Sequence, residues 1–201
     1  MEQMSRKSLL LIAVFAEGGL FLLGLLLVGG PQALASKFNL SWNATISALL
    51  FCLPMLVALY FAVQSNWAPL SQLRTELDEK VTPLFANLKI PDLALIALLA
   101  GAGEELFFRG WLQGSLTNRF DVWIGILIAS VIFGLVHYIS PTYAIYAGLT
   151  GLYLGVIYQV SGNLFVVMGI HALYDFIALV YLVRRGKVIK IDSSNFKNRT
   201  V

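Results

Sequence analysis

Six times along this chain, a run of about 20 mostly apolar residues is bounded by polar or turn-forming ones. The runs are Leu9–Val28, Ile46–Val63, Leu93–Leu116, Val122–Tyr138, Tyr143–Val160 and Leu164–Val183. A helix of that length crosses a hydrocarbon core about 30 Å thick. In lipid a spanning segment must satisfy its own backbone, and a helix does so without a partner strand. The expected fold class is therefore all-α, a polytopic membrane helix bundle of about six transmembrane helices. "SPT" at 140–142 divides the fourth run from the fifth, and "SGN" at 161–163 divides the fifth from the sixth. The fourth run is short and leaves little room for tilt. Composition points the same way: 58% of residues are hydrophobic and 12% are charged. Soluble domains carry roughly 25% charged residues, so this chain could not cover a water-facing surface. At 201 residues one domain is expected: a transmembrane domain over 1–183 and a basic cytoplasmic tail over 184–201. The first run exceeds a signal-peptide core and is interrupted by Glu17, so a retained helix is expected. The single cysteine, Cys52, allows no disulfide within the chain.

Between the second and third runs, Leu70, Leu73, Leu77, Val81, Leu84 and Leu88 fall on one helical stripe. Arg74, Glu76, Asp78, Glu79 and Lys80 take the opposite face. This is the pattern of an amphipathic helix at the membrane interface, with Pro83 expected to kink it. Ala147, Gly151 and Gly155 form a small-xxx-small ladder suited to close helix packing.

With six helices both termini share one side. That side would hold Arg6, Lys7, Arg74, Lys80, Lys89 and the tail cations, and the other only Lys37 and Arg119. The positive-inside rule then makes both termini cytoplasmic, in the plasma membrane or another membrane facing the cytoplasm. A net charge of +3 distributed over segment ends and a tail is no footprint for nucleic acid.

The spans nevertheless contain Glu17, Glu104, Glu105, Arg109, His137, His171 and Asp175. A charge at the helix centre costs about 2.5–3.5 kcal/mol on insertion scales, so each should face a partner or a watery cavity. Glu105 and Arg109 are four apart on one face, acid first, which suits an ion pair. Glu104 points about 100° away and is left without that partner. His171 and Asp175 are also four apart, and Phe133 precedes His137 by one turn. Counting helix rise from the membrane surfaces puts Glu104 and His171 at similar depth, and His137 nearer the cytoplasm. His137 would need tilt, or a later helix start, to join them.

Peptide hydrolysis requires a base to activate water and donors for the tetrahedral oxyanion. Glu104, His137, His171 and Asp175 contain those parts, whereas no serine or cysteine sits in a nucleophilic triad. A proton relay of a transporter uses similar groups, but no inverted repeat is seen.

"EELFFR", "FGLVH" and "HALYD" also occur in a telling order. They resemble the EExxxR, FxxxH and HxxxN/D motifs of the CAAX-protease and bacteriocin-processing (CPBP, or Abi) family of intramembrane proteases, over residues 91 to about 183. The resemblance implies an endopeptidase acting on a membrane-associated polypeptide within the lipid bilayer. Glu104 and His137 would activate water, His171 and Asp175 would form the oxyanion side, and Glu105 and Arg109 would support the site. Asp175 stands where many members have Asn, and an ionised Asp cannot donate to an oxyanion. A non-catalytic scaffold or immunity protein keeping this fold is the alternative. The family has often been called a metalloprotease, and zinc on Glu104, His137 and His171 would be that version. Zinc proteases commonly draw both histidines from one H-E-x-x-H helix. Here they lie on separate helices, so no cofactor is expected and water activated by glutamate is the favoured chemistry.

Overall fold

The structure, a computed structural model, describes the backbone of residues 4–197 and the side chains of residues 4–186. Among the described residues there is no strand. Eight helices succeed one another: α1 Arg6–Val28, α2 Pro31–Lys37, α3 Trp42–Gln64, α4 Ala68–Phe85, α5 Ile90–Arg119, α6 Val122–Val136, α7 Pro141–Ser161 and α8 Leu164–Lys197. The all-α bundle read from the sequence is the observed one. α1, α3, α7 and the Leu164–Gly186 part of α8 are each long and apolar enough to cross a membrane. α4 and α5 meet that test together, as a pair bent by 110°, and α6 is a shorter apolar helix. With α6 included the count reaches six, and the chain is an integral membrane protein. The expected basic tail begins on α8, but side chains beyond Gly186, and residues 198–201 altogether, lie outside the described residues.

The breaks arise from local chemistry. Ser140 caps α7 by accepting from the Tyr143 amide, and Pro141 fills the first helical position, where no amide is needed. Gly162 ends α7 in the left-handed conformation at φ +62°, which favours glycine. Asn163 then accepts from the Asn39 amide and donates to the Asn39 carbonyl, tying this turn to the loop before α3. Asp121 caps α6 through the Ile124 amide.

α4 departs from the regular helix that its apolar stripe implies. A π-helical turn occupies Leu77–Val81, just before Pro83. Proline lacks an amide donor and clashes with the carbonyl four residues back, and a wider turn relieves both. The extra residue rotates the remainder of the helix. Leu73, Leu77 and Leu88 are buried as the stripe requires, but Leu84 is 47% exposed. The polar face is also not all solvated. Glu76 is buried, accepting from the Ser140 hydroxyl and from Gln72, while Asp78 pairs with Arg185 at 3.1 Å. Arg74 donates to the Val63 carbonyl. α4 therefore clamps one end of the bundle as well as presenting an apolar stripe. On the same face, Arg6 grips Asp92 through two hydrogen bonds, holding the start of α1 to the start of α5.

Two glycines set the approach of the helices around the polar residues. A Cβ on Gly101 would come within 2.8 Å of the α8 backbone at Met168 and Ala172. A Cβ on Gly103 would come within 2.5 Å of the Glu17 carbonyl on α1. α5 is thus pressed between α1 and α8, immediately before Glu104.

Candidate active site

α5 changes from α-helical to π-helical turns at Leu106–Gln113, directly after the two glutamates. Such widenings occur often at functional sites. Arg109, 1% exposed, pairs with Glu105 at 3.1 Å and donates to the Gly151 carbonyl at 2.9 Å. Its guanidinium also lies 4.7 Å from the centre of the Phe133 ring, within range of a cation–π attraction. One turn later Gln113 donates to the Gly155 carbonyl at 3.0 Å. The small-residue ladder of α7 is therefore the acceptor side of a polar contact with α5. A Cβ at Gly155 would meet the Gln113 Oε1 at 2.8 Å, and one at Gly151 would meet the Phe133 ring at 3.2 Å.

Glu105 is engaged on both sides, through an ion pair with Arg109 at Oε2 and a hydrogen bond from His171 Nδ1 to Oε1 at 2.7 Å. With that hydrogen committed, His171 turns Nε2 toward Asp175 Oδ2, 3.5 Å away. Glu105 and His171 are both buried.

Glu104 faces another way, toward His137. Its Oε2 lies 3.5 Å from His137 Nε2, and that oxygen is buried without a hydrogen-bond partner. His137 Nδ1 is 2.8 Å from the Phe133 carbonyl. A carbonyl only accepts, so Nδ1 carries the hydrogen and the neutral ring presents a lone pair at Nε2. With Nε2 protonated the two groups form an ion pair; with the ring neutral, two acceptors face each other. A water placed there could give one hydrogen to each.

Phe133 is the platform of the site. Its ring stacks on His137 at 4.4 Å, meets His171 edge-on at 6.1 Å and lies beneath Arg109. By helix rise alone His137 sits too near the cytoplasm to join Glu104, yet the two are in reach. α6 has 15 residues, a length of about 22 Å. A helix that short ends inside a core of about 30 Å, and His137 is its C-terminal cap.

A cavity of about 200 Å³ opens beside these groups, lined in part by Phe133, His137, His171, Asp175, Tyr146 and Tyr174. The two tyrosine hydroxyls are hydrogen-bonded at 2.6 Å. Leu77 and Val81 of α4 close another part of its wall. A groove between α6 and α7 has more volume, about 300 Å³, but none of its lining residues is titratable.

Glu104, Glu105, Arg109, His137, His171 and Asp175 are thus assembled from α5, α6 and α8. Gln113 and the tyrosine pair join them without having been read from the sequence, because uncharged polar groups within a span raise no energetic alarm. The donors available to a metal come as two separate pairs, His137 with Glu104 and His171 with Asp175. Among the described residues no group of three or more His, Cys, Asp or Glu side chains could hold a metal ion. The set Glu104, His137 and His171 does not fit zinc as it stands here.

Residues 86–177 match the family described as type II CAAX prenyl endopeptidase Rce1-like. The stretch contains all three motifs, so the resemblance read from them is borne out over the segment that carries it. "Uncharacterized protein YpbD" of Bacillus subtilis (strain 168) is 34% identical over 96 residues, which are 46% of this chain and 46% of that protein. The chain therefore spans about half the length of this curated relative in the matched region. No solved structure gives a significant match.

Proposed function

We propose that this protein is an intramembrane endopeptidase that hydrolyses a peptide bond of a membrane-associated polypeptide. The observation that supports this most is the approach of Glu104 Oε2 and His137 Nε2, 3.5 Å apart beside a cavity. In this reading Glu104 takes a proton from a water that also donates to His137. The water oxygen attacks the scissile carbonyl carbon. His171, held by Glu105 at Nδ1, carries both ring protons, and its Nε2–H, which faces Asp175 at rest, is given over to the developing oxyanion. Asp175 orients that ring and does not donate itself, which accommodates Asp where Asn is common. Glu105 and Arg109 fix the helix that carries the base. The proton gained at Glu104 is needed again at the departing nitrogen. No metal takes part.

The test compares wild type with Glu104→Gln, which keeps the shape and removes the base. Membrane polypeptides that accumulate in the variant identify candidate substrates. Purified protein should cleave them, with the variant slower by about 10²-fold or more. Wild-type activity should survive exhaustive chelation. Near-normal cleavage by Glu104→Gln would remove Glu104 as the base, and full cellular function of that variant with no cleavage by wild type would favour the non-catalytic scaffold. Activity lost on chelation and restored by zinc would make the histidines metal ligands.

A further inference from the structure

Counted from Leu164, the first residue of α8, about 20 residues of helix cover roughly 30 Å and reach the far side of the hydrocarbon at Arg184. Arg184 and Arg185 therefore stand at the level of the lipid headgroups. Arg184 is exposed and engages no counter-ion among the described residues. On the same face, at successive one-turn spacings, come Tyr181 and Val180, then Ile177 and Phe176. These six side chains line a groove of about 380 Å³ on α8. Ile177 and Tyr181 are each 38% exposed, so the groove opens outward, toward lipid. None of Glu104, His137, His171 and Asp175 lines it.

The head of the groove is built with α4. Asp78 pairs with Arg185, Oδ2 to Nη2 at 3.1 Å. Thr82 lies one turn beyond Asp78 and against the α8 backbone, since a Cβ on Gly186 would meet its methyl group at 2.8 Å. Three polar atoms of this joint are buried without a hydrogen-bond partner: Asp78 Oδ1, Thr82 Oγ1 and Arg185 Nη1. Such orphans are costly and call for a ligand or water to satisfy them. The guanidinium and the hydroxyl can donate to a phosphate oxygen, and Asp78 Oδ1 can accept from a headgroup hydroxyl. Two guanidinium groups against one carboxylate leave a single positive charge, which complements one phosphodiester.

We propose that this groove binds one anionic phospholipid, with its phosphodiester on Arg184 and Arg185 and an acyl chain along Phe176, Ile177, Val180 and Tyr181. The occupant is a lipid because the cations stand at the headgroup end and the apolar wall continues about 12 Å into the hydrocarbon. Basic pockets at a membrane boundary recognise anionic headgroups in this way. The site does not depend on the protease reading, since it shares no residue with the candidate reaction centre.

Native mass spectrometry of the full chain, released from nanodiscs of equal phosphatidylglycerol and phosphatidylcholine, counts the lipids retained. Wild type should keep one phosphatidylglycerol in preference to phosphatidylcholine. Arg184→Gln strands no partner and should fold, and it should cut that preference about fivefold. Lys7→Gln removes another exposed cation, beside Arg6 at the start of α1, and should leave the preference unchanged. Ile177→Trp, which fills the groove, should lower retention of phosphatidylglycerol. Equal retention of the two lipids by wild type, or equal losses in Arg184→Gln and Lys7→Gln, means general surface charge and overturns the site. Displacement of the lipid by glycerol phosphate, which has no acyl chains, makes it a site for soluble anions and overturns it as well. A dimer in place of the lipid-bound monomer, broken by Ile177→Trp, assigns the face to a second copy of the chain and also overturns it.

Discussion

Arg109 carries three contacts at once: the Glu105 carboxylate, the Gly151 carbonyl and the Phe133 ring. Removing one partner of a buried ion pair leaves the other charge stranded, at a cost of about 3–5 kcal/mol. Arg109→Met should therefore destabilise the fold by that order, measured as loss of thermal stability in detergent. Arg109→Lys should recover only part of it, because one ammonium cannot reproduce the fork that spans acid and carbonyl. Charged groups such as these were legible in the sequence because a charge within a span must have a reason. Phe133 was legible only as a spacing mark before His137. Its use as a common platform for two imidazoles and a guanidinium depends on three helices meeting, which no local pattern encodes. Gln113 was not legible at all.

Helix α7 offers two backbone carbonyls to α5 because positions 151 and 155 have no side chains in the way. Gly155→Leu should push the Gln113 side chain off its acceptor and overpack Ile126. Such insertions cost about 1–3 kcal/mol, and thermal melting of the purified variant measures it. A Gly155→Leu protein as stable as wild type would mean that the polar contact does not hold these helices together. The apolar spans and most of their ends could be read from apolar length and from Ser140, Pro141 and Gly162, but the short α2 was not. The π-helical turns at Leu77–Val81 and Leu106–Gln113 could not, since each is one added residue in an otherwise helical pattern. That single residue explains both the exposed Leu84 beyond the first and the departure of α5 from regular winding at Arg109.

For the molecule as a whole, the Arg6–Asp92 and Asp78–Arg185 contacts gather the start of α1, the α4–α5 corner and the later part of α8 on one face. By the Lys/Arg bias we expect that face to be cytoplasmic. Tags at the two termini should both be reached only after the cytoplasmic side is opened, and accessibility on opposite sides would reject the topology. The shortness of α6 bears on the lipid as well. Its 15 residues span about 22 Å, against about 30 Å for the surrounding hydrocarbon. The outward side chains Leu127, Val131 and Leu135 are lipid-facing and more than half exposed, so acyl chains must meet this short wall directly. Hydrophobic mismatch of this kind draws the two leaflets together locally. A bilayer thinned in this way would be thinnest along the helix that ends in His137, and would bring headgroups and water toward the candidate reaction centre on that flank. Stability should accordingly be greater in short-chain than in long-chain phosphatidylcholine, read as melting temperature across a chain-length series. On the protease reading proposed above, a polypeptide lying at the membrane surface would meet its hydrolytic water at such a dent in the bilayer.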